Sequence, residues 1–404
     1  MRILVLSNFY PPHFIGGYEL GCREVVEGLR ARAHELFVLT SDYGISANAV
    51  PEPNLLRRFR LVEYPEQPRG DVRVVGRHNL DEFRKAVASF QPDMIYAWKL
   101  HSLGAGLIRE IEELPLPHAY YVSDLWMLGE AGRVSPHLER RPKHSVHRRL
   151  KSLFATASAR LAGERMPRQF TNLQCCSRFI LDQIDVAGAA AGECEAIYWG
   201  IEPEKFANVN RPAKIPPRLL YLGQIERHKG VHTAIRAFSI IHKQMPAVTL
   251  TIAGGPLEHY YGRELRRLAD ETGTSAITLA GKVSSRELND VFAQHDILLF
   301  PSESDEPFAI TPLEAMASGL AVVATTTGGS AEIFENNVNS MTFKAGNPDD
   351  CARQTLRLLR DPALTERIAC SGRELIRRKF TLTGMLDRID HHLGRVLEAR
   401  TNRS

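Results

Sequence analysis

Two glutamates with seven residues between them, Glu306 and Glu314, are the side chains of this chain best placed to do chemistry. Glu306 lies in a loop that follows a predicted buried strand, Ile297–Phe300, and in open α/β sheets ligands bind beyond the carboxyl ends of the strands. A carboxylate in that position can accept hydrogen bonds from hydroxyl groups. Glu314 also has a local explanation, because Thr311 as N-cap and Pro312 at the first helical position would make it part of a capping box.

Groups suited to phosphate are predicted in the same half of the chain. The backbone amides of 310–313 would open a short helix that Gly319 ends, and the first amides of a helix have no intrahelical partner. Lys229 precedes a predicted helix that starts near Val231, where an ammonium group can neutralise phosphate. An exposed turn lysine is the other interpretation of Lys229. Together with the carboxylates, these groups suit a nucleoside diphosphate that carries a sugar.

Strands alternate with helices along the whole chain, which is typical of parallel βα units. In the first half we predict strands at Ile3–Leu6, Leu36–Thr40, Val72–Val75, Met94–Trp98, His118–Val122, Asn172–Cys176 and Ala196–Trp199. In the second half we predict them at Leu219–Leu222, Val248–Ala253, Ile277–Leu279, Ile297–Phe300, Leu320–Ala324 and Met341–Phe343. The two series indicate two doubly wound α/β domains, and the polar, proline-rich residues 205–217 are the predicted hinge.

The first half contributes two candidate features. Gly16 and Gly17 precede a predicted helix, but they do not form a GxGxxG fingerprint, which argues against a dinucleotide dehydrogenase. A tight turn is a sufficient explanation for this pair of glycines. Asp124 is a polar residue that closely follows the predicted strand His118–Val122.

Residues 130–168 are strongly basic, with ten Lys or Arg against three Glu. Apolar residues at helical spacing lie behind the charges, so an amphipathic helix with a solvated face is one interpretation. The other is a surface for an acceptor or an anionic lipid, which predicts peripheral membrane contact through residues 133–168. Nucleic acid is disfavoured, because aromatic residues are not interleaved with the charges.

The composition is that of a globular protein, with 44% hydrophobic and 24% charged residues and a net charge of +4. No apolar run approaches the roughly 20 residues that span a bilayer, and Met1-Arg2 leads directly into a strand-like segment, so we expect neither a membrane span nor a secretory signal. The six cysteines have no metal-site spacing and are expected to be buried, reduced thiols. We therefore expect a cytoplasmic protein, with any membrane contact peripheral at the inner face.

Glu306 and Glu314, within EPFAITPLEAMASG and followed by Gly328-Gly329, resemble the E-x7-E motif of the family 4 retaining glycosyltransferases. The resemblance covers nearly the whole chain, strongly after residue 218 and weakly over residues 45–170. It implies the α/β GT-B fold, in which two Rossmann-like doubly wound domains face a central cleft and the last helix crosses back to the first domain. It also implies that Glu306 faces the donor sugar and that Glu314 binds the nucleotide ribose.

Other positions match this family in part. Residues 223–230 resemble its GR-x4-KG motif, in which Lys229 aligns with the phosphate-binding lysine, Gln224 replaces the arginine, and Arg227 is a second candidate cation. Ser123 replaces the histidine that the family usually has before Asp124, by the reacting centre, so Asp124 is the remaining polar candidate there. The backbone around Lys282 and Val283 is implied to contact the base, although both residues are equally consistent with an ordinary loop. The donor-binding set that the resemblance implies is Gly16, Gly17, Gln224, Arg227, Lys229, Lys282, Val283, Glu306, Phe308, Ala309, Ile310, Thr311 and Glu314.

The predicted function is transfer of a sugar, with retention, from a nucleoside diphosphate sugar (UDP or GDP favoured) to an acceptor hydroxyl in polysaccharide, glycolipid or natural-product glycoside synthesis. The predicted catalytic side chains are Glu306, Lys229 and Asp124. Because no Asp-x-Asp occurs in the chain, no metal is expected. The nucleoside diphosphate sugar is a co-substrate, and no cofactor is predicted. The predicted domains are residues 1–205 on the acceptor side, 206–380 for the nucleotide sugar, and a crossover helix at 381–404.

Three alternatives remain open. A nucleotide-sugar epimerase of the same fold would release free nucleotide without needing an acceptor. A catalytically silent scaffold protein is suggested by the substitutions at Ser123 and Gln224 and disfavoured by the intact Glu306, Lys229 and Glu314. A nucleic-acid or membrane-binding module built on the basic stretch would leave the other motifs unexplained.

Overall fold

A computed structural model describes residues 1–14, 16–45, 52–63, 70–128, 166–207 and 216–401. The chain divides into two compact units. The first unit comprises Met1–Ile197 together with the residues from Leu386 onward, and the second unit comprises Tyr198–Met385. The predicted hinge at 205–217 and the basic stretch at 133–168 lie largely outside the described residues.

The first unit contains a seven-stranded sheet of order β3-β2-β1-β4-β5-β7-β9, and its pairings are parallel. Its strands are β1 (Arg2–Leu6), β2 (Glu35–Ser41), β3 (Leu55–Phe59), β4 (Met94–Ala97), β5 (His118–Val122), β7 (Leu173–Cys175) and β9 (Glu195–Ala196). Two further short strands, β6 (Phe170–Thr171) and β8 (Ala190–Ala191), pair with each other. The chain winds outward from β1 to β3 and then returns to β4 beside β1, so the winding direction reverses between β1 and β4.

The described helices of this unit are α1 (Gly17–Ala31), α2 (Val72–Phe90), α3 (Ala105–Glu113) and α4 (Arg178–Val186). The predicted strand at Val72–Val75 is wrong, because these residues form the first turn of α2. The side chain of Asp71 caps that turn by accepting hydrogen bonds from the amides of Arg73 and Val74. A short alternating run of valines does not distinguish a strand from a capped helix start.

The second unit contains a six-stranded parallel sheet of order β12-β11-β10-β13-β14-β15. Its strands are β10 (Arg218–Leu222), β11 (Thr249–Ala253), β12 (Ile277–Gly281), β13 (Ile297–Phe300), β14 (Ala321–Thr325) and β15 (Met341–Phe343). All six predicted strands of this half are confirmed, within one or two residues at their ends. The central strands are apolar and buried on both faces, which is why the sequence identifies them well.

The described helices of the second unit flank this sheet. They are α5 (Glu204–Ala207), α6 (Val231–Gln244), α7 (Tyr260–Glu271), α8 (Leu288–Ala293), α9 (Ile310–Ala317), α10 (Pro348–Arg360) and α11 (Pro362–Lys379). The chain winds outward from β10 to β12 and returns to β13 beside β10. The reversal point of the second unit therefore lies between β10 and β13.

The last described helix, α12 (Leu382–Thr401), begins in the second unit and continues in the first. Within the first unit, Leu386 packs so closely on Gly28 of α1 that a Cβ built there would lie 2.4 Å from its Cδ1. The buried ring of His392 lies 2.8 Å, Nδ1 to Nε2, from the side-chain amide of Gln174 in β7. The predicted crossover of the last helix to the first domain is thus confirmed. None of the helices in the described ranges combines the length and the apolarity that a membrane crossing requires.

Candidate active site

In the second unit, Lys229 and Glu306 form an ion pair in which the ammonium group contacts both carboxylate oxygens. The Lys229 Nζ atom lies 2.8 Å from both carboxylate oxygens of Glu306. The Ser302 hydroxyl donates a further hydrogen bond to Glu306 Oε1. Only 7% of the Glu306 side chain is exposed, against 23% for Lys229, so the carboxylate depends on these partners in place of water.

The fold brings these residues together from two neighbouring strands. Lys229 ends the loop that follows β10, in a 3₁₀ turn at Arg227–Lys229, and Glu306 lies in the loop that follows β13. Strands β10 and β13 are hydrogen-bonded neighbours, and their pairing in register includes Leu219 with Ile297. Both loops therefore leave the carboxyl edge of the sheet at its reversal point, where ligands bind in folds of this kind.

Two glycines allow the close backbone approaches that hold these loops. Gly230, at φ +69°, faces the backbone of Pro301, and a Cβ built there would lie 1.9 Å from the Pro301 carbonyl oxygen. Gly328, at φ +56°, pairs with Glu306 as an isolated bridge, and a Cβ there would lie 2.5 Å from the Glu306 carbonyl oxygen. The neighbouring Gly329 amide donates to that same oxygen at 2.6 Å. Only glycine fits both the left-handed backbone and the available space at these two positions.

The predicted capping box at Thr311 is wrong. The N-cap of α9 is Ala309 and the helix begins at Ile310, which places Thr311 second and Pro312 third. Proline is tolerated there because the first-turn amides have no intrahelical acceptor. Glu314 is then the fifth helical residue, two positions beyond the place of a capping-box carboxylate, so the capping explanation no longer applies to it.

The other residues predicted to bind the donor differ in their contacts and exposure. Arg227 donates to Glu264, and its guanidinium carbon lies 5.2 Å from the centre of the Tyr261 ring, so its charge already has a partner. Gln224 is exposed, and its carbonyl accepts a hydrogen bond from the Tyr221 hydroxyl at 2.7 Å. Phe308 packs between Tyr198 and Phe380, with ring centres 5.8 and 5.7 Å away. Lys282 is exposed and Val283 partly buried, directly after β12.

In the first unit, Asp124 forms an ion pair with Lys99 that the sequence did not predict. The Lys99 Nζ atom lies 2.6 Å from Asp124 Oδ2, and the Trp126 amide donates to Asp124 Oδ1 at 3.0 Å. Lys99 follows β4 and Asp124 follows β5, so both lie at the carboxyl edge of the sheet. Their side chains are 27% and 33% exposed and therefore accessible to a ligand.

The start of α1 lies close to this pair. The N-cap of the helix is Gly16, and its amide donates to the buried Glu19 side chain at 2.9 Å. Burial raises the pKa of Glu19, while hydrogen bonds from backbone amides and the charge of Lys99 act in the opposite direction. The ring centre of Tyr18 lies 6.0 Å from Lys99 Nζ. The predicted Gly16-Gly17 pair thus lies next to a polar group at the reversal point between β1 and β4.

Comparisons with known proteins identify the family and the fold of this chain. The family model described as Glycosyltransferase Family 4 matches residues 15–205, and the model described as Glycosyl transferases group 1 matches residues 203–375. Glycogen synthase of Mycobacterium tuberculosis is 25% identical over 402 residues, covering 94% of this chain and 91% of that protein.

Among solved structures, sucrose-phosphate synthase of Thermosynechococcus elongatus matches with a TM-score of 0.76 at 19% identity, covering 98% of this chain and 99% of that one. The Anabaena HepE structure in complex with UDP-glucose matches with a TM-score of 0.67 at 20% identity, with 98% and 99% covered. The fold of this chain is therefore the GT-B fold. With the two family models matching consecutive parts of it, the chain belongs to the family 4 type of GT-B glycosyltransferases.

Proposed function

We propose that this glycosyltransferase moves a sugar, with retention of its anomeric configuration, from a nucleoside diphosphate sugar to an acceptor hydroxyl, and that it needs no metal. UDP and GDP sugars are the favoured donors. The acceptor belongs to polysaccharide, glycolipid or natural-product glycoside synthesis. The single observation that carries this proposal is the Lys229–Glu306 pair, which lies at the reversal point of the second sheet.

The charges of this pair suit a donor with a diphosphate and a sugar. The Lys229 ammonium group has three N–H donors. Two of them donate to the carboxylate oxygens of Glu306, and the third can donate to a phosphate oxygen. The amides that open α9 supply further donors for the diphosphate. Glu306 would then accept hydrogen bonds from the sugar, and Glu314 from the ribose. The absence of Asp-x-Asp from the sequence supports metal independence, because the leaving charge can be met by Lys229 and these amides.

The proposed step breaks the bond between the anomeric carbon and the diphosphate oxygen and forms a bond from the acceptor oxygen to the same face of that carbon. The acceptor proton passes to the departing phosphate oxygen. Lys229 and the α9 amides stabilise the charge that develops on the diphosphate. Asp124, with Lys99 beside it, is proposed to orient the acceptor on the first unit.

The experiment that tests this proposal is calorimetric titration of the protein with UDP, GDP and ADP, without and then with magnesium. We expect one nucleotide to bind with an affinity that magnesium leaves unchanged. Incubation with the corresponding sugar donors and a panel of acceptors, followed by NMR of the product, then reports the anomeric configuration. Binding of none of the three nucleotides would overturn the donor-site assignment, and an inverted product would overturn retention. Free nucleotide released without any acceptor would indicate the epimerase.

Glu314→Ala is expected to weaken binding of that nucleotide by about 10- to 100-fold, the value of one hydrogen bond to a charged group. The same titration with the variant measures this effect, and thermal unfolding shows that the variant is folded. Glu366→Ala, at an exposed position on α11, is the control that should bind as the wild type does. Unchanged binding in Glu314→Ala would remove Glu314 from the ribose site.

Asp124→Asn is expected to misplace the acceptor and so lower the rate of transfer by about 10²-fold, while leaving the nucleotide dissociation constant unchanged. The reason is that Asp124 belongs to the first unit, whereas the proposed nucleotide site belongs to the second. Initial rates at saturating donor and calorimetry on the same preparation separate the two quantities. A variant with weakened nucleotide binding and normal turnover would contradict this division of roles.

A further inference from the structure

Glu303 lies three residues before Glu306 and bonds to both segments that flank Lys229. Its backbone amide donates to the carbonyl of His228 at 2.8 Å. Its carboxylate oxygen Oε1 accepts a hydrogen bond from the Thr233 hydroxyl at 2.5 Å, in the first turn of α6. Glu303 therefore connects the loop after β13 to the 3₁₀ turn that ends at Lys229 and to the helix after it.

His232 extends this connection to a third element. Its Nε2 atom lies 3.2 Å from Glu303 Oε1, and its Nδ1 atom lies 2.8 Å from the hydroxyl of Tyr261 on α7. Burial lowers the pKa of His232, and the charge of Glu303 acts in the opposite direction. In the neutral ring, Nε2–H donates to Glu303 while Nδ1 accepts from Tyr261, which satisfies both nitrogens. A buried polar network with every member partnered holds its elements in one arrangement.

We propose that Glu303 is a positioning residue, which fixes the Lys229 ammonium group opposite Glu306 by tying the loop after β13 to the two ends of the segment 228–233. Glu303 acts through His228, His232 and Thr233 and does not itself touch the donor. The contact of Gly230 with the Pro301 carbonyl sets how closely the two loops approach. Glu303 sets how the loop after β10 is aligned with the loop after β13. Without Glu303, Lys229 keeps its charge but loses its fixed position. The effect on nucleotide binding rests on the proposed function, whereas the effect on the position of Lys229 does not.

The first unit contains a closely similar cluster that serves as a matched control. Glu112 Oε2 accepts a hydrogen bond from the Thr171 hydroxyl at 2.8 Å and lies 3.3 Å from His118 Nε2. His118 is the first residue of β5, so this cluster lies at the amino edge of its sheet, away from the candidate residues at the carboxyl edge. Substitution of Glu112 therefore removes the same kinds of contact without disturbing a proposed site.

The test measures the reactivity of Lys229 in the protein without ligand. Acetic anhydride labels lysines according to how freely they are available, and mass spectrometry compares Lys229 with Lys243, an exposed lysine of the same domain. We expect Glu303→Ala to raise the labelling rate of Lys229, relative to that of Lys243, by about threefold or more. A change of this size corresponds to the interaction free energy that residues in contact commonly show. Glu303→Gln keeps an acceptor for Thr233 and His232 and should restore the wild-type rate. Glu112→Ala should leave it unchanged.

Thermal unfolding shows that each variant is folded, and Thr233→Val, which removes a single donor, replaces Glu303→Ala if the latter fails to fold. Thr233→Val should shift Lys229 labelling in the same direction. Wild-type labelling in both Glu303→Ala and Thr233→Val, or an equal rise in Glu112→Ala, would overturn the proposal.

Titration with UDP, GDP and ADP adds a functional measurement. Glu303→Ala should weaken the binding of whichever nucleotide the wild type binds by about tenfold, and Glu112→Ala should not. If the wild type binds none of the three while the labelling pattern holds, the proposed function fails and the role of Glu303 stands. If the wild type binds one of them and Glu303→Ala matches it in both labelling and affinity, the role of Glu303 fails and the proposed function stands.

Discussion

Lys229→Ala is expected to lower kcat by about 10²–10³ at saturating donor, the cost of removing one preorganised group that stabilises developing charge. The measurement is the initial rate of nucleotide release from the sugar donor that the titrations identify. Because the ammonium group contacts both Glu306 oxygens at 2.8 Å, its position is set before any donor arrives. The effect should therefore appear in kcat and persist when more donor is added.

A second variant measures how much stability the Glu306 charge costs when Lys229 is absent. Lys229→Ala leaves the buried Glu306 carboxylate with the hydrogen bond from Ser302 but without the positive charge opposite it, which destabilises the fold. Adding Glu306→Gln removes that unpaired charge. We expect the double variant to recover much of the melting temperature and none of the turnover. A double variant that regained turnover along with stability would contradict the catalytic roles of both Lys229 and Glu306.

Lys243→Ala provides the reference for the loss of a positive charge elsewhere. Lys243 is exposed near the end of α6, at the other end of that helix from Lys229, and its removal should leave kcat unchanged. Normal turnover in Lys229→Ala at saturating donor would contradict its proposed role.

The sequence predicts an element well where burial alone decides its structure. The segment Ile297–Phe300 is apolar throughout and buried on both faces, so its side chains allow few alternatives to a central strand. The start of α9 was misplaced because Thr311-Pro312 is a favourable helix start in isolation. In the structure, the Gly328 bridge to Glu306 holds the preceding loop, and the helix begins two residues earlier than its local sequence suggests.

The candidate site was predictable where its residues lie within a recognisable motif, as Glu306, Glu314 and Lys229 do. Lys99 is different, because nothing near it in sequence indicates that it pairs with Asp124, 25 residues away. That pairing depends on β4 and β5 being neighbours, which a strand pattern does not establish. Glu303 was missed for the same reason, since its partners His232 and Thr233 belong to a helix about 70 residues earlier.

Gly328→Ala is expected to reduce turnover by about 10²-fold and to weaken nucleotide binding, although residue 328 carries no reactive group. A methyl group there would overlap the backbone of Glu306, at 2.5 Å from its carbonyl oxygen and 2.7 Å from its nitrogen, so the loop must move. Because backbone atoms cannot rotate away as a flexible side chain can, the displacement reaches the carboxylate directly. Steady-state kinetics and calorimetry on the variant measure both effects.

Gly273→Ala separates this displacement from the cost of the backbone conformation. Gly273 has a φ of +68°, close to the +56° of Gly328, but a Cβ built on it meets no atom within 4 Å. Its substitution should therefore cost about 1–2 kcal/mol of stability and leave turnover unchanged. If Gly273→Ala and Gly328→Ala lost the same stability and both kept full activity, the contact between Gly328 and the Glu306 loop would not set the geometry of the site. A selective loss of turnover in Gly328→Ala would show that the placement of the Glu306 carboxylate depends on the backbone that packs against its loop.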